Sequence, residues 1–187
     1  MHYSQLNQSL GNIDLYLLDG ILKGYFDNKQ SLLDAGCGEG RNIKYFAENG
    51  FHIKGIDSDP MAIKMARMIY KTVVQASFEH RSIEELTDIE QYDAIVVSAV
   101  LHFANDQDHF DQQMTILSTA LKPGGTMFIR MATDAGVTHE GHHFTYVLRA
   151  ENASHVWSRY GLTLIEPWKS VVVEGKRSMG VFFLSKT

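Results

Sequence analysis

The sequence is poor in cysteine. Cys37 is the only one in 187 residues, so no disulfide can close within the chain. That suits a reducing compartment, and a cytoplasmic protein is expected. Proline is scarce as well, at three residues, and no Pro-, Gly- or Ser-rich stretch marks a linker. One domain over residues 1–187 is therefore expected, with residues 1–30 as its N-terminal helical segment. No apolar run approaches the roughly 18 residues that span a bilayer. The start "MHYSQLNQSL" lacks the cationic and apolar parts of a signal peptide. Positive charge is also short: 17 Lys and Arg against 22 Asp and Glu give a net charge of −5. Phosphate-rich partners draw most of their affinity from Lys and Arg, so neither a nucleic acid nor an anionic membrane is expected.

What is present is an alternation of apolar strands and amphipathic helices. "NIDLYLLDGILKGYF" puts Ile13, Leu17, Ile21 and Leu22 on one helical face. "SLLDAG" reads as a strand, "RNIKYFAENG" as a helix stopped at Gly50, and "FHIKGID" as the next strand. "DSDPMAIKMARMIY" opens a helix, with Asp59 as N-cap and Pro60 first inside. "FEHRSIEEL" holds a short strand, and the β-branched run "YDAIVVSAV" reads as a central one. "DQDHFDQQMTILSTALKPGG" is a helix ending at Pro123-Gly124-Gly125, and "TMFIRM" is a fifth strand. The tail "LTLIEPWKSVVVEGKRSMGVFFLSK" has no room for a crossover helix between its two runs and reads as an antiparallel hairpin. The expected fold is α/β: a doubly wound, Rossmann-like, seven-stranded, mostly parallel sheet.

The chemistry gathers at "SLLDAGCGEGRN", where three glycines fall within five residues between strand and helix. Such a loop brings backbone N–H groups to a ligand at the carboxyl end of the sheet. A Walker loop needs G-x-x-x-x-G-K-[ST], which Gly36 and Arg41 do not satisfy. A dinucleotide loop needs G-x-G-x-x-G, but Arg41 stands at the third glycine position. Asp34 would also repel a pyrophosphate by several kcal/mol at an effective dielectric of about 20. A phosphate-free nucleoside with a cationic tail turns Asp34 into an asset. Asp57, at the end of the next strand, is placed to accept from ribose hydroxyls.

"LLDAGCGEGRN", "GIDSDPMAIKMAR", "YDAIVVSAVLHFA" and "LKPGG" resemble, in order, the motifs of class I S-adenosylmethionine (SAM)-dependent methyltransferases over Leu32 to Met131. The resemblance implies methyl transfer with SAM as cofactor and S-adenosylhomocysteine (SAH) as product. It implies that Asp34, Gly36 and Gly38 hold the methionine end, and that Asp57 holds the ribose with Ser58 and Met61 beside the adenosine. It sets Ser82 and Ile83 at the adenine and Ser98 at the methionine portion. "SAVLHFA" stands where amino-methylating enzymes of DNA and protein glutamine carry N/D-P-P-Y/F, so a small-molecule acceptor is implied. The "GRN" continuation is shared with tellurite-resistance methyltransferases, a match too short to name a substrate.

His102 is the candidate base, for its position at the mouth and its titration range. Candidate acceptor contacts are Tyr16, Phe103, His142, His143, Tyr146 and Arg149. The loop "THEGHHF" has metal-ligand chemistry in His139, Glu140, His142 and His143, but no helix to fix their spacing, and no metal is expected. A SAM-binding protein without transferase activity, or a methyltransferase of RNA or protein, stays open, as does the oligomeric state.

Overall fold

The computed structural model describes residues 2–137 and 143–187. Eight strands form one sheet: β1 (Ser31–Ala35), β2 (His52–Asp57), β3 (Ala76–His80), β4 (Tyr92–Ser98), β5 (Leu121–Thr133), β6 (Leu162–Leu164), β7 (Lys169–Val173) and β8 (Arg177–Lys186). The order is β3-β2-β1-β4-β5-β8-β6, with β7 also on β8. β1 to β5 run parallel, and β8 returns antiparallel to β5, from Thr126↔Ser185 to Thr133↔Ser178. β6 pairs with the end of β8 and β7 with its start, so the two share one edge position end to end. Seven positions were expected; the last is divided around Pro167, which cannot donate to a ladder.

β4 is central because it is apolar on both faces. Ala94, Ile95, Val96 and Val97 are all buried. Alternation then builds two cores. Leu33, Ile95, Ile129 and Phe182 pack with Phe110, Met114 and Leu117 of α5 (Gln107–Ala120). Leu32, Val96, Phe128 and Phe183 face α2 (Leu15–Leu22), α3 (Lys44–Glu48) and α4 (Pro60–Ile69). Each such side chain contributes about 1.5–3 kcal/mol on burial.

Two helices differ from expectation. A separate helix α1 (Tyr3–Leu10) precedes α2, and α2 is shorter than the periodic stretch because Asp14 caps it by accepting from Tyr16 N–H. Leu17 and Ile21 are buried, but Leu22 is 79% exposed and faces outward with Leu15. α5 stops at Ala120 rather than at the Pro-Gly-Gly. Lys122 precedes Pro123 and is steered out of the helical region, so Leu121 already pairs with Tyr92 and the glycines become a bulge in β5.

Gly20 in α2 tests the packing. A Cβ there would lie 2.2 Å from Cε1 of Phe183. Gly20→Ala would gain about 1 kcal/mol of helix propensity. Overpacking against the ring costs about 1–3 kcal/mol beyond ordinary contact. Net destabilisation is expected, as a lowered urea midpoint at unchanged slope; a raised midpoint would disprove the close approach.

Candidate nucleoside site

The site begins with backbone. Gly36, Gly38 and Gly40 all have positive φ, at 74°, 54° and 85°. Gly36 also admits no side chain: a Cβ would lie 2.2 Å from Cγ2 of Val100. The N–H groups of Gly36 and Cys37 donate to the Ile56 carbonyl, at 2.8 and 3.0 Å. Gly38 N–H donates to Asp57 Oδ2 at 2.8 Å, and Asp59 N–H donates to Asp57 Oδ1 at 2.9 Å. The Asp57 carboxylate is thereby braced between two loops, and each oxygen retains acceptor capacity. A cavity of about 530 Å³ opens there, lined by Gly36, Asp57, Ser58, Ser82, Ile83 and Phe103 among the expected residues. Arg81, Glu84, Val100, His109 and Gln113 line it too.

A charged row lies under the loop on the α2 side. Asp34 is buried and both its oxygens lack a hydrogen-bond partner among the described residues. Burial pushes its carboxyl up to about 7; Arg41 opposes the rise and Asp57 adds to it. Asp14 is treated differently. Its Oδ2 accepts from Arg130 Nη1 at 2.8 Å and from Ser98 Oγ at 3.1 Å, with Arg41 Nη2 at 3.5 Å. Arg41 Nη2 also donates to Ser98 Oγ, and Asp14 N–H donates to Asn42 Oδ1. The Arg130 guanidinium lies 5.5 Å from the Tyr16 ring centroid. Sequence reasoning missed Asp14, Asn42 and Arg130; the available signal was an arginine inside the apolar run "TMFIRM".

Several expected residues stand elsewhere. Met61 is 61% exposed on α4, away from the cavity lining, because it follows Pro60 on the outer side of the first turn. Gly38 braces Asp57 from behind, and Ser98 serves Asp14. Tyr146 turns inward, stacking on Phe110 at 4.6 Å and donating from its hydroxyl to Gln107. Arg149 is exposed beside Glu151, and His143 is exposed. His139, Glu140 and His142 lie outside the described residues.

His102 is buried. Its Nδ1 accepts from Ala132 N–H at 3.3 Å and its carbonyl accepts from Thr145 and Tyr146 N–H. Its ring lies 4.5 Å from Phe103 and 4.3 Å from Phe144. Burial, then Arg177 and Arg130, push the imidazole down to about 4, so it is neutral at pH 7. Among the described residues, no group of His, Cys, Asp or Glu has a metal-holding arrangement, and no helix is long and apolar enough to cross a membrane.

A parallel sheet with a glycine loop after its first strand and a braced acid after its second defines a nucleoside-binding α/β domain of the methyltransferase kind. The family model for the methyltransferase domain matches residues 12–166, and the chain belongs to that family, in its class I, SAM-dependent form. A ubiquinone biosynthesis O-methyltransferase of Xanthomonas campestris is 30% identical over 104 residues, 52% of this chain and 41% of that protein. Nodulation protein S of Rhizobium tropici is 26% identical, over 75% of this chain and 64% of its own length. The chain thus spans about half the length of the first curated relatives it matches. Among solved structures, the N-methyltransferase NodS of Bradyrhizobium japonicum, in complex with SAH, matches 98% of this chain and 97% of its own, at TM-score 0.74 and 23% identity. The 1,6-didemethyltoxoflavin N1-methyltransferase of Burkholderia thailandensis matches 90% and 76%, at TM-score 0.74 and 18% identity.

Removing the central acid should be severe. Asp14→Ala would leave Arg130 without its partner and α2 without its cap. A loss of about 3–5 kcal/mol is expected in chemical denaturation. A loss below about 1 kcal/mol, the worth of an exposed ion pair, would show that the carboxylate does not organise this row.

Proposed function

We propose that the chain, as one domain, transfers the S-methyl group of SAM to a small organic acceptor. The observation that carries this reading is one cavity faced by both a braced carboxylate, Asp57, and a glycine that tolerates no side chain, Gly36. Asp57 would accept from the ribose hydroxyls. Gly36 would let the methionine portion approach the backbone. Asp34, buried with both oxygens unpartnered among the described residues, suits an α-ammonium and opposes a pyrophosphate. The names of the related methyltransferases support a small acceptor.

SAM supplies a methyl group on a sulfonium, whose departure as a neutral thioether needs no acid. The chain therefore has to align the acceptor and exclude water. Phe103, exposed on the cavity wall, and the neighbouring Phe144 are the apolar surfaces we assign to the acceptor. His102 acts in this reading as a positioning residue, holding the 144–146 segment to the turn after β4. Burial keeps its imidazole neutral and its Nδ1 accepts from Ala132 N–H, and this reading asks no proton transfer of it. An acceptor that arrives ionised or as a free amine needs none.

Purified chain given SAM and a panel of phenols, catechols and amines should release SAH only when an acceptor is present, as followed by chromatography. SAM binding without release across the panel would make the chain a non-catalytic SAM binder. Asp57→Ala should weaken SAH by about 1.5–3 kcal/mol, roughly 10- to 100-fold, in calorimetry. Unchanged affinity would remove the ribose role.

Asp34 gives a pH signature. Its carboxyl is raised to about 7 in the free chain, so below that pH an ammonium ligand must displace a proton. SAH affinity should fall as pH drops from 7 to 5, by up to about tenfold per unit, and level off above 7. In Asp34→Asn this dependence should vanish; a wild-type profile flat from pH 5 to 8 would count against the contact.

A further inference from the structure

An S-adenosyl ligand has a fixed order: amino acid, sulfur, ribose, adenine. With the amino acid at the glycine loop and the ribose at Asp57, the base must lie beyond Asp57. The cavity wall there is Ser82, Ile83, Glu84, His109 and Gln113. The last three belong to a hydrogen-bonded set that the reading above leaves unused.

Glu84 Oε1 accepts from His109 Nε2 and from Gln113 Nε2, each at 2.6 Å. Asn105 N–H donates to His109 Nδ1 at 3.1 Å. The network thus assigns the ring proton to Nε2, facing Glu84. Burial pushes the Glu84 carboxyl up, but hydrogen bonds from Gln113, its own backbone, His109 and Ser82 outweigh it and hold it at about 2. A permanent anion fixes the sense of the Gln113 amide, with its nitrogen toward Glu84. Its oxygen is then left over. Gln113 is only 8% exposed, and its Oε1 is buried with no partner among the described residues. A buried acceptor without a donor is costly, and because Gln113 belongs to the cavity lining, a ligand N–H is the partner its amide oxygen calls for.

We propose that Gln113 reads the 6-amino group of the adenine, with Glu84 and His109 as positioning residues that lock its amide orientation. This rests on the cofactor reading above. The 6-amino group carries the N–H donors that Oε1 lacks. In an inosyl analogue a carbonyl stands there, and two acceptors would face each other. The site therefore discriminates adenosyl from inosyl ligands through one glutamine on α5.

Calorimetry with SAH and S-inosylhomocysteine tests this on the wild-type chain. SAH should bind at least about tenfold more tightly, the worth of one hydrogen bond gained and one repulsion avoided. Gln113→Met should weaken SAH about tenfold and leave the inosyl analogue unchanged or tighter, so the preference collapses. Equal wild-type affinities would overturn the proposal. So would a Gln113→Met chain in which both ligands weaken alike, the mark of a merely structural strut. If that variant does not fold, the wild-type comparison still decides. Binding of neither ligand would remove the cofactor reading itself, a failure distinct from loss of discrimination.

Discussion

The Asp57 carboxylate is the joint on which the site is built. It ends β2, so the parallel register with β1 delivers it to the glycine loop. One oxygen takes Gly38 N–H and the other takes Asp59 N–H, which ties the loop after β1 to the turn that starts α4. Asp59 then uses its own side chain to cap α4 at Met61 N–H. Beneath this, the Ile56 carbonyl accepts two loop N–H groups. The cavity floor is therefore backbone held by backbone and one acid, set before any ligand arrives. Such preorganisation lowers the ordering cost of binding.

Two buried acids in the same row meet opposite fates. Asp14 has Arg130, Ser98, Tyr16 N–H and a nearby Arg41, which together offset its desolvation. The Asp34 carboxyl has no hydrogen bond among the described residues, and the guanidinium of Arg41 is turned to Asp14 and Ser98. Removing a carboxylate from water without compensation costs several kcal/mol. The outcome is a carboxyl raised by burial to about 7. Arg41 Nη2 is engaged by Asp14 and Ser98, so in the proposed reading an incoming ammonium is the partner that the Asp34 carboxyl lacks.

The mostly parallel sheet, the glycine loop after its first strand and the acid that ends its second were legible because each follows from local chemistry. β-branched runs, positive-φ glycines and strand ends are written within a few residues. Side-chain destinations were less so. Leu22 fits the periodic stripe but faces out, because α2 packs on Phe183 through Gly20 and leaves that flank uncovered. Met61 and Ser98 sit at the right sequence positions, yet one turns to solvent and the other serves Asp14. The Asp14–Arg130 pair spans 116 residues, and the Gln113–Glu84 pair spans 29 across two elements. No window of sequence carries such pairings, since they depend on how strands and helices come together.

The N-terminal segment illustrates how far a small number of contacts reaches. An eight-residue helix is too short to hold itself in water, so α2 depends on what it touches. Leu17 and Ile21 fix its distance from the sheet, and Asp14 fixes its end to the tips of β4 and β5. Tyr16, the second residue of α2, then lies under Arg130. Apolar burial alone would tolerate sliding along the Phe128 and Phe183 surface, because it is non-directional. The Asp14 hydrogen bonds do not tolerate it. The position of α2, and of Arg41 beside Asp14, is therefore set by polar geometry at one residue, while its stability comes from the two apolar anchors.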